Sequence, residues 1–243
     1  MERIAGEIAH GKFISENPDK VWNYNTKAGK YRALWKSRQI LDCLQVTSYP
    51  ELKVLEVGCG SGEYTKYFAE KICNLVATDL SDDLLQIAQH NVNRPLVKFM
   101  PEDVHHLTFP SDHFDAVIGN SILHHLNIEP ALEEILRVLK KGGRLLFNEP
   151  NMLNPYIFVQ KHSKLIKKMT GDSPTETAFY KGAFKRLLEK HHFAHIEITP
   201  IDFLPPFTPD LLFPVFRTAS VVLQKIPLVK EFSGVLFIRA VKQ

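Results

Sequence analysis

The sequence predicts an α/β fold built around a parallel sheet, and three observations carry that expectation. Short apolar runs alternate with helix-like stretches from residue 53 to residue 148. The first run ends in a glycine cluster, Gly58-Cys59-Gly60-Ser61-Gly62, and the second ends on an acid, Asp79. Alternation at this spacing implies βαβ units with right-handed crossovers.

Residues 18–44 come first, with Val21, Trp22, Tyr24, Tyr31, Leu34, Trp35, Ile40, Leu41 and Leu44 at spacings that suggest one or two helices leading into the core. Strand one is expected at 53–57, followed by a helix over 63–71 with Tyr64, Tyr67 and Phe68 on one face. Strand two is expected at 74–79. Ser81 then caps a helix over 82–92, whose first turn carries Asp82 and Asp83 at the positive end of the dipole. Strands three and four follow at 96–100 and 114–119. A helix near 129–140 is expected to end at Gly142-Gly143, before strand five at 144–148. Beyond residue 148 the rhythm loosens. A helix over about 178–192, a strand at 194–199 and a last strand at 234–241 remain legible. Between those two strands, residues 200–232 hold six prolines.

Composition narrows the function classes. The chain has 243 residues, 44% hydrophobic and 23% charged, so one large globular domain is expected. No apolar run reaches the ~18 residues of a membrane span, and the first ten residues lack the apolar core of a secretory signal. Three cysteines without metal-site spacing fit a reducing cytoplasm. The net charge of +3 hides a segregation: residues 51–148 hold 9 Lys/Arg against 14 Asp/Glu, and residues 149–192 hold 8 against 4. An acidic centre argues against a chain built to grip nucleic acid.

The chemistry concentrates in Val54-Leu55-Glu56-Val57-Gly58-Cys59-Gly60-Ser61-Gly62, followed by Asp79. Glycines where a strand turns into a helix let backbone N–H groups approach an adenosine-bearing ligand. An acid about twenty positions on, at the tip of the next strand, suits a bidentate grip on ribose hydroxyls. The dinucleotide alternative wants a glycine at position 63, where Glu63 stands and would repel a pyrophosphate. A tight glycine turn without a ligand is the other alternative.

These residues resemble motif I of the class I S-adenosylmethionine-dependent methyltransferases, in the small-molecule group similar to quinone-biosynthesis methyltransferases. The resemblance covers about residues 50–150. Glu102-Asp103-Val104, Phe114-Asp115-Ala116-Val117-Ile118 and Leu136-Arg137-Val138-Leu139-Lys140-Lys141-Gly142-Gly143 agree with the family's later motifs in order, with Lys141 in place of the usual proline. It implies a Rossmann-like, mostly parallel seven-stranded sheet with helices on both faces, its last strand inserted antiparallel beside the fifth. It also implies S-adenosylmethionine as cofactor. On that resemblance Asp79, with Leu80 beside it, holds the ribose, and an acid of Glu102-Asp103 accepts from the adenine amino group while Val104 flanks the ring. Glu56 orients the loop or reaches the methionine amino group. Gly58, Cys59, Gly60 and Gly62 form the loop around the methionine, with no nucleophilic role for Cys59. Asn120 approaches the sulfonium, and Tyr24 and Tyr31 are candidates for covering the cofactor.

Methyl transfer needs alignment and, for an oxygen or nitrogen acceptor, a proton sink. His124, His125 and Glu149 are the candidates, and a scaffold role for His124 and His125 stays open. His191, His192 and His195 are expected to be structural. No metal is expected, because the histidine pairs lack a convergent third ligand.

The division expected is 1–50 as a helical cover, 51–149 as the cofactor core, and 150–192 and 200–232 as acceptor-side insertions of one domain. The insertions carry Lys161, His162, Lys164, Lys167 and Lys168, then Thr175 to Tyr180, then Phe203, Phe207, Leu211, Leu212, Phe213 and Phe216. A basic strip beside an apolar strip can rest on an anionic membrane or hold a lipid-linked acceptor. A lid around a small soluble acceptor is the competing reading. The same fold can also serve as a non-catalytic cofactor-binding or scaffolding protein.

Overall fold

A computed structural model describes residues 2–16, 22–47, 49, 51–173 and 176–243. Val21 and Thr175 therefore lie outside the described residues. Seven strands form one sheet in the order β3-β2-β1-β4-β5-β7-β6. They are β1 (Lys53–Val57), β2 (Asn74–Asp79), β3 (Val97–Pro101), β4 (Phe114–Asn120), β5 (Leu139–Pro150), β6 (Phe193–Ile201) and β7 (Val235–Lys242). The first five strands pair in parallel, and β7 runs antiparallel between β5 and β6.

Alternate residues of the central strands feed two apolar cores, one on each face of the sheet, as the period-2 geometry of a strand requires. Leu55, Val57, Val117, Leu145 and Phe147 join one core, with Leu132 and Ile135 of the helix Ile128–Val138 (α5). Val54, Leu75, Ala116, Ile118 and Leu146 join the other. On that second face lie Ile40 and Leu44 of α2 (Lys27–Leu44), Phe68 of α3 (Thr65–Phe68) and Leu85 of α4 (Asp82–Val92). Strands buried on both sides explain why these runs read as continuously apolar in the sequence.

Local signals account for several boundaries. Ser81 caps α4 by accepting from the Leu84 N–H, and Asn93 closes it in the left-handed conformation. Thr26 does the same for α2 by accepting from the Gly29 N–H. Elsewhere the structure corrects the expectation. The helix of 63–71 shrinks to the single turn of α3, because Cys59 through Tyr64 stay in the loop. α5 stops at Val138, and the chain is already extended at Leu139; the two glycines form a bulge inside β5, between the Phe114–Leu139 and Ala116–Arg144 pairs.

An N-terminal helix, α1 (Glu2–Glu16), packs against α4; it falls within the helical cover expected over 1–50, ahead of the helices expected at 18–44. The insertions also form helices the sequence rhythm did not reveal: α6 (Pro155–His162), α7 (Lys164–Thr170) and α9 (Phe213–Leu223), beside the expected α8 (Lys181–Lys190). α6 and α7 bury no residue fully, so no apolar stripe marks them. Among the described residues no helix is long and apolar enough to cross a membrane.

Candidate functional site

A cavity of about 780 Å³ opens at the carboxyl ends of β1, β2 and β4, where ligands bind in open α/β sheets. Its floor is the turn after β1. Gly58 has φ +65°, and a Cβ there would lie 2.4 Å from Ile122 Cγ1 in the loop after β4, so only glycine lets the two loops close together. The Gly60 N–H donates to Asp79 Oδ2 at 2.8 Å, and the Ser81 N–H donates to Asp79 Oδ1 at 2.9 Å. Asp79 thereby ties the β1 turn to the β2 turn, and each oxygen keeps a lone pair for a further donor. Burial pushes its carboxyl up.

At the tip of β3 the two acids differ. Glu102 is buried, and both of its oxygens are taken by Thr108, through the backbone N–H and the hydroxyl. Asp103 is part-exposed and accepts from the His105 N–H at 3.0 Å and from His105 Nδ1 at 2.6 Å. His105 Nε2 accepts from the Asn127 N–H, which leaves the ring proton on Nδ1, facing Asp103. Despite partial burial, these hydrogen bonds hold Asp103 below the usual carboxylate range. Leu80 and Val104 line the same end of the cavity.

Past β4, Asn148 Nδ2 donates to Asn120 Oδ1 at 2.8 Å. One amide atom of each side chain, Asn120 Nδ2 and Asn148 Oδ1, is buried without a partner among the described residues. Asn120 faces the cavity. Next to it His124 Nδ1 lies 2.8 Å from Glu149 Oε2, so Nε2 is the nitrogen turned away from β5. Glu149 is fully buried and also accepts from the Ile122 and Leu123 N–H groups, both at 2.9 Å. Burial raises its carboxyl to about 7, against the pull of those backbone donors.

The fold thus brings Gly58, Cys59, Gly60, Asp79, Leu80, Glu102, Asp103, Val104, Asn120, His124 and His125 around one cavity. Besides Tyr31, three sequence-derived candidates lie outside its lining. Gly62 faces α4, where a Cβ would meet Val92 and Ala88 at 3.0 and 3.1 Å. Glu56 is buried behind the turn, and burial, aided by Asp79, raises it to about 8. Glu149 spends its carboxylate on the loop that carries His124. Burial also pushes the Cys59 thiol well up, the opposite of what a nucleophile needs.

Of the two tyrosines, Tyr24 lines the cavity, edge-on to Tyr64 at 5.9 Å. Tyr31 lies outside it against Phe213, with the Arg217 guanidinium 5.0 Å over its ring. Sequence reasoning missed several lining residues. Arg32 and Lys36, one turn apart on α2, converge on Asp202 at 2.7 and 3.8 Å. Burial, aided by Arg32, lowers the Lys36 ammonium to about 7. Lys161 sits between Asp172 and Glu176, 2.7 Å from each. The sequence places Lys161 in the basic strip of the first insertion and gives no sign of Arg32 or Lys36; only the fold turns these cations inward.

A family model described as a methyltransferase domain matches residues 55–147. A ubiquinone/menaquinone biosynthesis C-methyltransferase of Ectopseudomonas mendocina is 33% identical over 141 residues, which is 54% of this chain and 53% of that protein. Residues 55–147 are a class I S-adenosylmethionine-dependent methyltransferase domain. A demethylmenaquinone methyltransferase of Renibacterium salmoninarum is 35% identical to this chain over 117 residues, 47% of each. The chain spans about half the length of the curated relatives it matches. Its fold extends beyond the matched core. A Thermotoga maritima structure described as a SAM-dependent methyltransferase, possible histamine N-methyltransferase, superposes with a TM-score of 0.70 over 96% of this chain and all of that one, at 17% identity. That likeness shows the fold alone.

Proposed function

We propose that this chain transfers the methyl group of S-adenosylmethionine to a small apolar acceptor that reaches the cavity from a lipid surface. One observation carries the reading. A single cavity runs from Asp103 past Asp79 and Gly60 to His124, then on to Tyr156, Met169 and Phe207, which are exposed on the outer face. The first half suits a nucleoside with an amino-acid tail, and the second half suits an apolar guest.

The residues present fit the cofactor. Asp79 would accept from the ribose hydroxyls through its remaining lone pairs, and Asp103, the less occupied of the two acids, from the adenine amino group. The unpartnered amide atoms of Asn120 and Asn148 mark a polar spot near the methionine end, and Arg32 with Lys36 supplies charge for a carboxylate there. When bound, S-adenosylmethionine supplies an electrophilic methyl group on a sulfonium. The protein's own contribution is then mainly alignment and exclusion of water. His124 is the group placed to accept a proton at Nε2, with Glu149 holding the Nδ1 proton and stabilising the charge that forms.

The relatives' printed names bring a quinone precursor to mind as the acceptor class, and the surface supports an apolar molecule of that kind. Exposed side chains crowd the two insertions, including Leu165, Met169, Leu211 and Leu228. Lys164, Lys167, Lys168, Arg217, Lys225 and Lys230 stand among them, which suits an anionic bilayer. The thiols of Cys43, Cys59 and Cys73 are unpaired, which supports a reducing compartment such as the cytoplasm. Calorimetry with S-adenosylhomocysteine tests the reading. Saturable micromolar binding is expected, and its absence from folded protein would overturn both the enzyme and the cofactor-binding scaffold readings. Transfer of labelled methyl to a lipid extract separates those two.

A further inference from the structure

The acceptor end of the cavity holds a cluster that no sequence spacing announces. His124 and His125 come from the turn after β4, and Glu176 comes from the first insertion, roughly fifty residues later in the chain. His124 Nε2 lies 3.8 Å from Glu176 Oε2, and His125 Nδ1 lies 3.7 Å from Glu176 Oε1. One donor atom from each of the three residues falls within 4.8 Å of the other two, and all three residues line the cavity. A first-row divalent ion about 2.1 Å from nitrogen and oxygen ligands fits among donors at such separations.

We propose that His124, His125 and Glu176 form a binding site for a divalent transition-metal ion, facing the acceptor.

The surroundings are those of a built site. A metal-binding imidazole needs its second nitrogen held by an acceptor. Glu149 does this for His124 at 2.8 Å, and Glu149 is itself fixed by the Ile122 and Leu123 N–H groups. Glu176 is likewise held in place. The Ser173 N–H donates to its Oε1 at 2.6 Å, and Lys161 donates to its Oε2 at 2.7 Å. The Lys161 charge is shared with Asp172, also at 2.7 Å, so one ammonium faces two carboxylates and does not neutralise the site. Two imidazoles and one carboxylate select an ion of intermediate softness, such as Zn2+, Co2+, Ni2+ or Fe2+, over Ca2+ or Mg2+. Three protein ligands leave the remaining positions open to the cavity. With an ion bound, His124 Nε2 would be a ligand and no longer the proton acceptor; an acceptor oxygen on the ion would instead lose its proton more readily, the same effect by which a metal acidifies water. That last role rests on the methyltransferase reading; the site itself does not.

The test uses the full chain, stripped with a chelator and titrated with Co2+ while visible d–d absorption is followed. Calorimetry with Zn2+ runs in parallel. One saturable equivalent is expected, with affinity falling at least tenfold in His125→Ala and in Glu176→Gln, and about 10- to 100-fold in Glu149→Gln. Retained binding of S-adenosylhomocysteine shows that each variant is folded. The absence of saturable Co2+ binding in the wild-type chain would overturn the site, as would equal binding by the wild type and folded Glu176→Gln. Metal binding without any binding of S-adenosylhomocysteine would leave the site standing and remove the methyltransferase reading instead.

Discussion

The two halves of the cavity are built on opposite terms. Around the proposed cofactor end, backbone N–H groups of short strand-to-helix turns do the holding, as those of Gly60 and Ser81 do on Asp79. Around the proposed acceptor end, side chains hold one another, as Lys161 does with Asp172 and Glu176. The first half is acidic and wrapped in core. The second leaves Met169 at 75% and Phe207 at 55% exposed. A common ligand can be recognised by backbone geometry that many sequences satisfy. A particular acceptor has to be read by side chains, and those change freely.

That contrast can be broken experimentally. The largest effect belongs to Asp79→Ala, which removes a carboxylate able to take two charge-assisted hydrogen bonds. Affinity for S-adenosylhomocysteine should fall by about 4 kcal/mol, while Lys161→Ala should leave it within about twofold, read by calorimetry. Equal losses in both variants would mean the halves are not separable.

Next comes the charge pairing of the acceptor half. Burial would raise Glu176, but His125, Lys161 and His124 together hold it at about 2 against an ordinary 4.5. A folded-state pKa below the unfolded one means that the stabilisation is complete above pH 4.5 and is lost as pH falls toward 2. At about 1.4 kcal/mol per pKa unit, wild type should lose about 3 kcal/mol more than Glu176→Gln across that window. Urea midpoints measured against pH would reveal it, and parallel curves would remove the pairing from the account.

Gly58→Ala probes the backbone half. It forces a Cβ into φ +65° and against Ile122, so a loss of about 2 kcal/mol is expected in urea unfolding. Gly142→Ala, with φ +75° but open space around it, should cost less. The smallest effect concerns the surface. Each of Lys164→Glu and Lys168→Glu should weaken flotation with anionic liposomes by about 1 kcal/mol or somewhat more, leaving cofactor affinity unchanged. Wild-type protein that stays wholly in the soluble fraction would sink the lipid route and favour a lid around a soluble acceptor.

Much of the fold was legible because its signals are local. Strands β1 and β2 and helix α4 fall where apolar runs, glycines and Ser81 place them. α6 and α7 were not legible, since they bury no residue fully and no periodic stripe records them. At the site, Asp79 and the glycines announced themselves by position. Arg32 and Lys36 did not, because nothing in the sequence says which way a helix face will turn, and Lys161 and Glu176 were legible only as members of the insertion, because their pairing is made by the fold.

What the sequence determined by itself, then, is the nucleotide-turn core of about residues 50–150. A nucleotide turn is a short-range object whose glycines and acid lie within about twenty residues, so pattern alone suffices. The tertiary structure alone decided which acid at 102–103 stays available, that Glu149 serves the His124 loop and not the cavity, and that Glu176 meets two histidines roughly fifty residues earlier in the chain. Those outcomes depend on burial and on contacts between segments far apart in the chain, and such contacts leave no period or spacing to read.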